Sequence, residues 1–392
     1  MRVALIGNMG NNLYRMGKWL REAGKDAHLY LLRQERGPRC LPEEVDPDVA
    51  PEAEGYPHWI HEYDDRGRTW FLRPSRVARR IEAESDVLVT MGSRGLLAVR
   101  HFRRLPIVHL ASGCEISEYP LWLFAWRTPL PWRVVSLQMR RALKRVRVVV
   151  SMFRPEVDVL NRLGHADKAR LWGIPEDVEA NSRRADPALI ESLHATYGGY
   201  RRLFLWLSRL NFMDRSRPVY KGPEMFLEAF ERLVHGWGDR VRAVVGTHGD
   251  DVQPFMQRVE EKRLGGFIDF VPHLPYTRLL AYLSLPNAVV VDNLAKEYGV
   301  LAGMARDALS VGAVTVKALD REFVRQCHGE GCPILDATDA ETCYQALERL
   351  LEMDEAAFRR LQETHRAWAL EHIDYRRRVP WFMALLEEVA SA

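Results

Sequence analysis

No apolar run in this sequence approaches the ~20 residues that a membrane-spanning helix needs. The longest, such as Ala288–Val291 with its neighbours, are strand-sized. Cysteine is scarce. Cys40, Cys114, Cys327, Cys332 and Cys343 form an odd, scattered set among 392 residues, which excludes a disulfide scaffold and fits reduced thiols. Cys327-His328-Gly329-Glu330-Gly331-Cys332 lacks a second Cys pair at zinc spacing, so no metal is expected there. The dinucleotide fingerprint Gly-x-Gly-x-x-Gly is missing from Gly7-Asn8-Met9-Gly10-Asn11-Asn12, which weighs against a nicotinamide oxidoreductase. The apolar stretch after Met1 is too short for a signal peptide, so a soluble, cytoplasmic chain is expected. Lysine is rare, eight against 48 arginines, a ratio that reflects genome composition more than binding. Finally, one segment lacks acids altogether. Between Tyr119 and Pro155 stand eight bases, Trp122, Phe124, Trp126 and Trp132, and no Asp or Glu.

What is there is globular. The chain is 47% hydrophobic and 28% charged, with a net charge of +3, and its length predicts two domains. Short apolar runs alternate with helical spacings. Arg2–Gly7, Ala27–Leu32, Asp86–Met91, Pro106–Ala111 and Val146–Ser151 read as buried strands, and 36–68 as a long acidic, Pro-rich loop. The pattern restarts with strands at Arg202–Leu210, Val241–Thr247, Phe267–Val271, Ala288–Asp292 and Ala313–Val316. Three helices near 339–352, 354–372 and 376–390 close it. Strands separated by helices imply parallel sheets covered on both faces. The fold class expected is therefore α/β, with two doubly wound Rossmann-like domains facing a cleft. A boundary between the domains is read at about residues 178–200, which open on the polar stretch 179–186. The expected division is 1–185, 186–374, and a last helix 375–392 returning to the first domain.

The strongest constellation is Leu207-Ser208-Arg209-Leu210 followed by Lys221-Gly222. Arg209 ends a strand, and Lys221 precedes a helix whose free N–H groups favour an anion. Two cations there suit a diphosphate whose developing charge needs neutralising. The second runs from Val289–Asp292 through Tyr298-Gly299-Val300-Leu301 to Asp307 and Gly312, a strand, a Gly loop and a helix bearing a carboxylate.

These residues resemble the second domain of a GT-B-fold glycosyltransferase, most similar to family 4. The resemblance implies that Arg209 and Lys221-Gly222 hold the donor diphosphate. It makes Asp307 the acid that contacts donor sugar and ribose, and it places Gly10, His273, Leu274, Tyr298, Gly299, Val300 and Leu301 around the donor. Gly299 stands where the family has its first Glu, and the nearest acid is Glu297. On the acceptor side it points to Asn8, Asn11 and Glu115. The activity implied is transfer of a sugar from a nucleotide-diphosphate sugar to a hydroxyl acceptor (glycan, lipid-linked or small molecule), a step in glycan biosynthesis. Retention, with no cofactor and no metal, is implied too; Asp46-Pro47-Asp48 lies in the acidic loop and is not expected to bind one. A catalytically inactive sugar-nucleotide-binding homologue and a GT-B-like sugar-nucleotide epimerase stay open. Nucleic acid is not expected, since the rest of the chain is near neutral. The acid-free segment has two readings: a core helix with a solvated basic face, or a peripheral contact of 119–147 with the inner face of a membrane.

Overall fold

Strands of two to seven residues, most of them apolar and followed by a helix, build two parallel sheets in the computed structural model. The structure describes residues 1–32, 40–49, 55–63, 76–123, 128–215, 219–296 and 299–392. The chain divides into two compact units, one of Met1–Ile174 with Arg378–Ala392 and one of Pro175–Arg377.

The first unit is built on strands β1 (Arg2–Ile6), β2 (Asp26–Leu32), β3 (Ile60–Tyr63), β4 (Val87–Met91), β5 (Ile107–Leu110), β6 (Val148–Ser151) and β7 (Ala169–Leu171), in the order β3-β2-β1-β4-β5-β6-β7. Between them run α1 (Asn12–Glu22), α2 (Arg76–Glu84), α3 (Gly92–Ala98), α4 (Cys114–Ser117), α5 (Leu130–Arg145) and α6 (Arg154–Arg162). Val3–Ile6 and Val87–Val89 are almost wholly buried because helices cover both faces. The strand order reverses at β1/β4, and there the backbones come very close. A Cβ on Gly7 would sit 2.1 Å from the Met91 carbonyl oxygen, and one on Gly95 2.8 Å from that of Ile6. Only glycine fits, and Gly7 also needs its φ of +92°. The stretch expected as loop, 36–68, contains β3, which pairs with β2 at the sheet edge.

The second unit opens with α7 (Val178–Arg184) and α8 (Pro187–Tyr197), where a polar linker was expected. Asp177 and Asp186 make the difference: each side chain accepts from backbone N–H groups of the following first turn and starts a helix. Its sheet has β8 (Arg202–Trp206), β9 (Val241–Gly246), β10 (Ile268–Val271), β11 (Ala288–Val291), β12 (Val314–Lys317) and β13 (Leu335–Asp336), ordered β10-β9-β8-β11-β12-β13. Helices α9 (Pro223–Trp237), α10 (Val252–Glu261), α11 (Tyr276–Leu283), α12 (Gly303–Val311), α13 (Arg321–His328), α14 (Ala340–Glu352) and α15 (Glu355–His372) pack against it. Trp206, Phe226 and Phe230 fill one face, with Trp206 and Phe226 stacked at 5.6 Å.

The last helix, α16 (Tyr375–Ser391), contributes Val379, Phe382, Leu385, Leu386 and Val389 to buried positions. In the first unit Trp172 lies against Trp381 and Phe382, each at 5.3 Å, and Lys25 pairs with Glu387 at 2.5 Å.

Candidate functional site

In open parallel sheets ligands sit outside the carboxyl ends of the strands, where the strand order reverses. In the second unit that point is β8/β11. The chain leaves β8 as Leu207-Ser208-Arg209 and leaves β11 as Asp292-Asn293. Ser208 donates its hydroxyl to Asp292 Oδ1 at 2.5 Å, joining the two exits. Asp292 is buried, and its Oδ2 has no hydrogen-bond partner among the described residues. Arg209 is exposed, and its guanidinium makes no hydrogen bond or ion pair within the described residues. That leaves five donors available to an anion.

Lys221 and Gly222 stand across the same edge. Lys221 N–H donates to the Asn211 carbonyl at 3.0 Å, and its own carbonyl accepts from Leu294 N–H at 2.9 Å, so backbone bonds fix it between the exits of β8 and β11. Gly222 precedes α9 with φ +75°, and a Cβ there would press on that of Leu294 at 3.3 Å. Helix α9 begins beside this edge with Pro223, which has no N–H, and Met225 N–H donates to the Gly222 carbonyl at 3.1 Å.

Lys317, which the sequence reading did not single out, is wholly buried at the end of β12. Its Nζ donates to the carbonyls of Val300 and Ala318, both at 2.8 Å. Burial lowers its pKa to about 8; the Asp292 charge works against that shift and the Lys221 charge with it. Lys317 thus ties down the loop holding Gly299, Val300 and Leu301. Asp320 N–H donates to the Gly299 carbonyl at 2.7 Å, and a Cβ on Gly299 would lie 2.4 Å from Asp320 N. The position has no room for a side chain. Tyr298 and Glu297 lie outside the described residues.

Asp307, on α12, is buried and accepts from the Tyr276 hydroxyl at 2.8 Å. Tyr276 reaches Asn181 at 3.1 Å, and Asn181 donates to Ser310 at 2.9 Å, so the carboxylate belongs to a network spanning α7, α11 and α12. At the other end of the strand edge, His273 is exposed and meets His248 edge-on at 5.2 Å; Leu274 is half-buried beside it. Leu210 N–H donates to the His248 carbonyl at 2.8 Å, which holds the Arg209 loop against the β9 exit. The structure therefore gathers Arg209, Lys221, Gly222, His273 and the Gly299–Leu301 loop at the carboxyl edge of one sheet. His248, Asp292 and Lys317 join them.

The first-unit residues are of another kind. Asn8 is buried and donates to Asn11 Oδ1 and the Cys40 carbonyl, both at 2.7 Å, while accepting from Tyr14 N–H. Asn11 donates to the Leu41 carbonyl at 2.8 Å. Both side chains hold the turn together; Gly10 between them is exposed with φ +60°. Asp46 is engaged by the Tyr14 hydroxyl at 2.8 Å and Lys18 at 2.7 Å. Glu115 is buried, and its Oε1 accepts from Ser112 N–H and hydroxyl at 2.6 and 2.7 Å. Burial opposes its charge, but His109 at 3.7 Å and the Ser112 bonds outweigh that and lower its pKa. Glu156 is pushed well above the usual carboxyl value, by burial first and by the Glu115 charge second. The two carboxyls are thus shifted in opposite directions. Nothing in the sequence pattern announces this influence, because the two lie 41 positions apart. Among the described residues no group of His, Cys, Asp and Glu is placed to hold a metal ion.

No protein-family model and no curated protein sequence matches the chain. Solved structures do. HepE (Alr3699) of Anabaena, in complex with UDP and glucose, is similar over 99% of this chain and 100% of its own, at 14% identity and a TM-score of 0.69. Sucrose-phosphate synthase of Thermosynechococcus elongatus is similar over 100% and 99%, at 16% identity and a TM-score of 0.69. The α,α-trehalose 6-phosphate synthase of Burkholderia multivorans follows at 15% identity, 100% and 98% coverage and a TM-score of 0.62. The chain has the fold of these proteins, GT-B, with two Rossmann-like α/β units.

Proposed function

We propose that this chain is a glycosyltransferase that moves a sugar from a nucleotide-diphosphate sugar to a hydroxyl acceptor. The observation that carries the reading is Arg209, an exposed guanidinium without a partner among the described residues, at the strand-order reversal of a GT-B unit. The backbone of Lys221, just before α9, is held to the chain leaving β8 and β11 at the same edge. In water-poor surroundings such fixed positive groups stabilise the charge that grows on a departing diphosphate. On this reading Asp307 and the Gly299–Leu301 loop contact the donor's sugars, and His273 lies near its base. UDP is the first nucleotide to try, since HepE was solved with it.

The reaction proposed retains the anomeric configuration. No protein nucleophile is needed: a leaving diphosphate held by Arg209 and Lys221 accepts the proton of the hydroxyl arriving on the same face. Those two cations take the part that a metal would otherwise play. Transfer in the cytoplasm, as a step of glycan biosynthesis, completes the reading. The test is a thermal-shift screen with UDP, GDP, ADP and dTDP and their sugars. A ligand at 100 times its dissociation constant adds about 2.7 kcal/mol of stability. The expected result is one nucleotide diphosphate that stabilises wild type and not Arg209→Ala. Stabilisation by none of them, or equal stabilisation of both proteins, sinks the proposal.

A further inference from the structure

Helix α5 carries an exposed stripe of unusual make-up. Seven large hydrophobic side chains are well exposed among the described residues, and four of them fall within eight positions: Leu130, Trp132, Val134 and Leu137. Leu130 is 74% exposed. The helix buries Ser136, Met139, Ala142 and Leu143 instead. At 3.6 residues per turn, Leu130, Val134, Leu137, Arg141, Lys144 and Arg145 share an arc of roughly 100°. All six are exposed. The stripe is apolar over its first two turns and basic over its last two, along roughly 22 Å of axis. Trp132 stands at the apolar end, its ring edge-on against Trp122 at 5.4 Å. Lys168 is not part of the stripe; its Nζ is spent on the Leu143 and Lys144 carbonyls.

A core helix does not put leucines outside and leave a serine in. A solvated surface helix does not keep Leu130, Val134 and Leu137 on its water side. We propose that this stripe docks the first unit on an anionic lipid surface, the apolar turns entering the headgroup boundary and Arg141, Lys144 and Arg145 meeting lipid phosphates. Charge selects this occupant. From Tyr119 to Pro155 there is no acid, so two copies paired through α5 would set bases against apolar turns or against each other with no counter-charge from this segment. A layer of anionic headgroups over hydrocarbon offers both chemistries to one face of a helix whose first turns are apolar and whose last turns are basic. The inference is independent of the transferase reading and stands or falls without it.

The test is co-sedimentation of the full chain with vesicles of phosphatidylcholine alone and of phosphatidylcholine with phosphatidylglycerol, at low and high salt. Binding is expected only with phosphatidylglycerol and is expected to weaken with salt. The triple variant Arg141→Gln, Lys144→Gln, Arg145→Gln should lose on the order of 100-fold in partition, since each base near such a surface gives roughly a fivefold gain. Leu130→Gln with Val134→Gln should also weaken binding at low salt. Both variants change exposed positions, and unchanged melting temperatures verify their folding. No binding at low salt overturns the proposal, as does binding that ignores phosphatidylglycerol. Wild-type binding by the Leu130→Gln, Val134→Gln variant overturns it too, because charge alone would then suffice. So does a wild-type dimer in sedimentation velocity that this variant makes monomeric.

Discussion

Arg209 and Lys221 differ in how they are held, and that bears on what their loss should do. Arg209 is an exposed cation with no partner among the described residues; Lys221 is pinned by its backbone between two strand exits. Replacing either side chain by Ala leaves those backbone bonds in place. On the proposed reading each change lowers kcat by at least ~100-fold, the scale of one transition-state charge contact, with the melting temperature nearly unchanged. Near-normal turnover in both variants would show that the diphosphate lies elsewhere. Lys317 makes a prediction about stability. Unfolded, it keeps its proton to the ordinary 10.5; folded, burial brings the pKa to about 8. Between those values the unfolded chain binds more protons, so this group's contribution to stability rises with pH. Below about 8 the buried charge weighs in full against the fold, and above 10.5 that penalty is gone. The stability of wild type minus that of Lys317→Met should therefore climb between pH 8 and 10.5, by up to about 3 kcal/mol. Cys114 and Cys343, raised by burial, contribute alike to both proteins and cancel in the difference, whereas Cys332, which the Lys317 charge influences, cancels only in part. Urea midpoints that run parallel across this range would refute it. Arg209 was legible in the sequence because a charge directly after an apolar run marks a strand exit. Lys317 was not, since a lysine ending a strand normally reaches water and the acceptors that hold it here are backbone carbonyls, which no residue type announces.

Among the elements, the described part of the loop between β11 and α12 is tightly held. Gly299 is packed on the Leu319–Asp320 backbone, and Lys317 binds the next carbonyl. A Cβ at 2.4 Å from a backbone nitrogen forces the loop to move. Gly299→Ala should thus destabilise by about 1–3 kcal/mol, the usual cost of overpacking, and Gly299→Glu by more, without any gain in donor binding. A Gly299→Glu variant of wild-type stability would mean that the loop can open. The long, wholly buried strands were plain from their apolar runs. Those missed, β3, β7 and β13, are short or lie at sheet edges, where one flank is wet and the pattern thins. The helices α7 and α8 were hidden for a different reason: their polar composition imitates a linker, and the signal lay in the aspartates at 177 and 186 just before each.

For the whole molecule, the two units differ in continuity. Pro175–Arg377 is a single stretch, whereas the other unit takes Met1–Ile174 and Arg378–Ala392. Phe382, Leu386 and Val389 are buried, and Trp172 is sandwiched with Trp381 and Phe382. Ending the chain at Arg377 should therefore lower the melting of the first unit and spare the second. Calorimetry would read this as one transition shifted down and one unmoved; two unmoved transitions would show that the last helix adds nothing to the first unit. The same arrangement sets an order of events during synthesis. The continuous unit has all its strands once residue 377 is made. The other must wait, its Trp172 pocket open, until fifteen further residues have been added. Half of the protein thus spends its nascent life with an apolar seam that only its own distant tail can close.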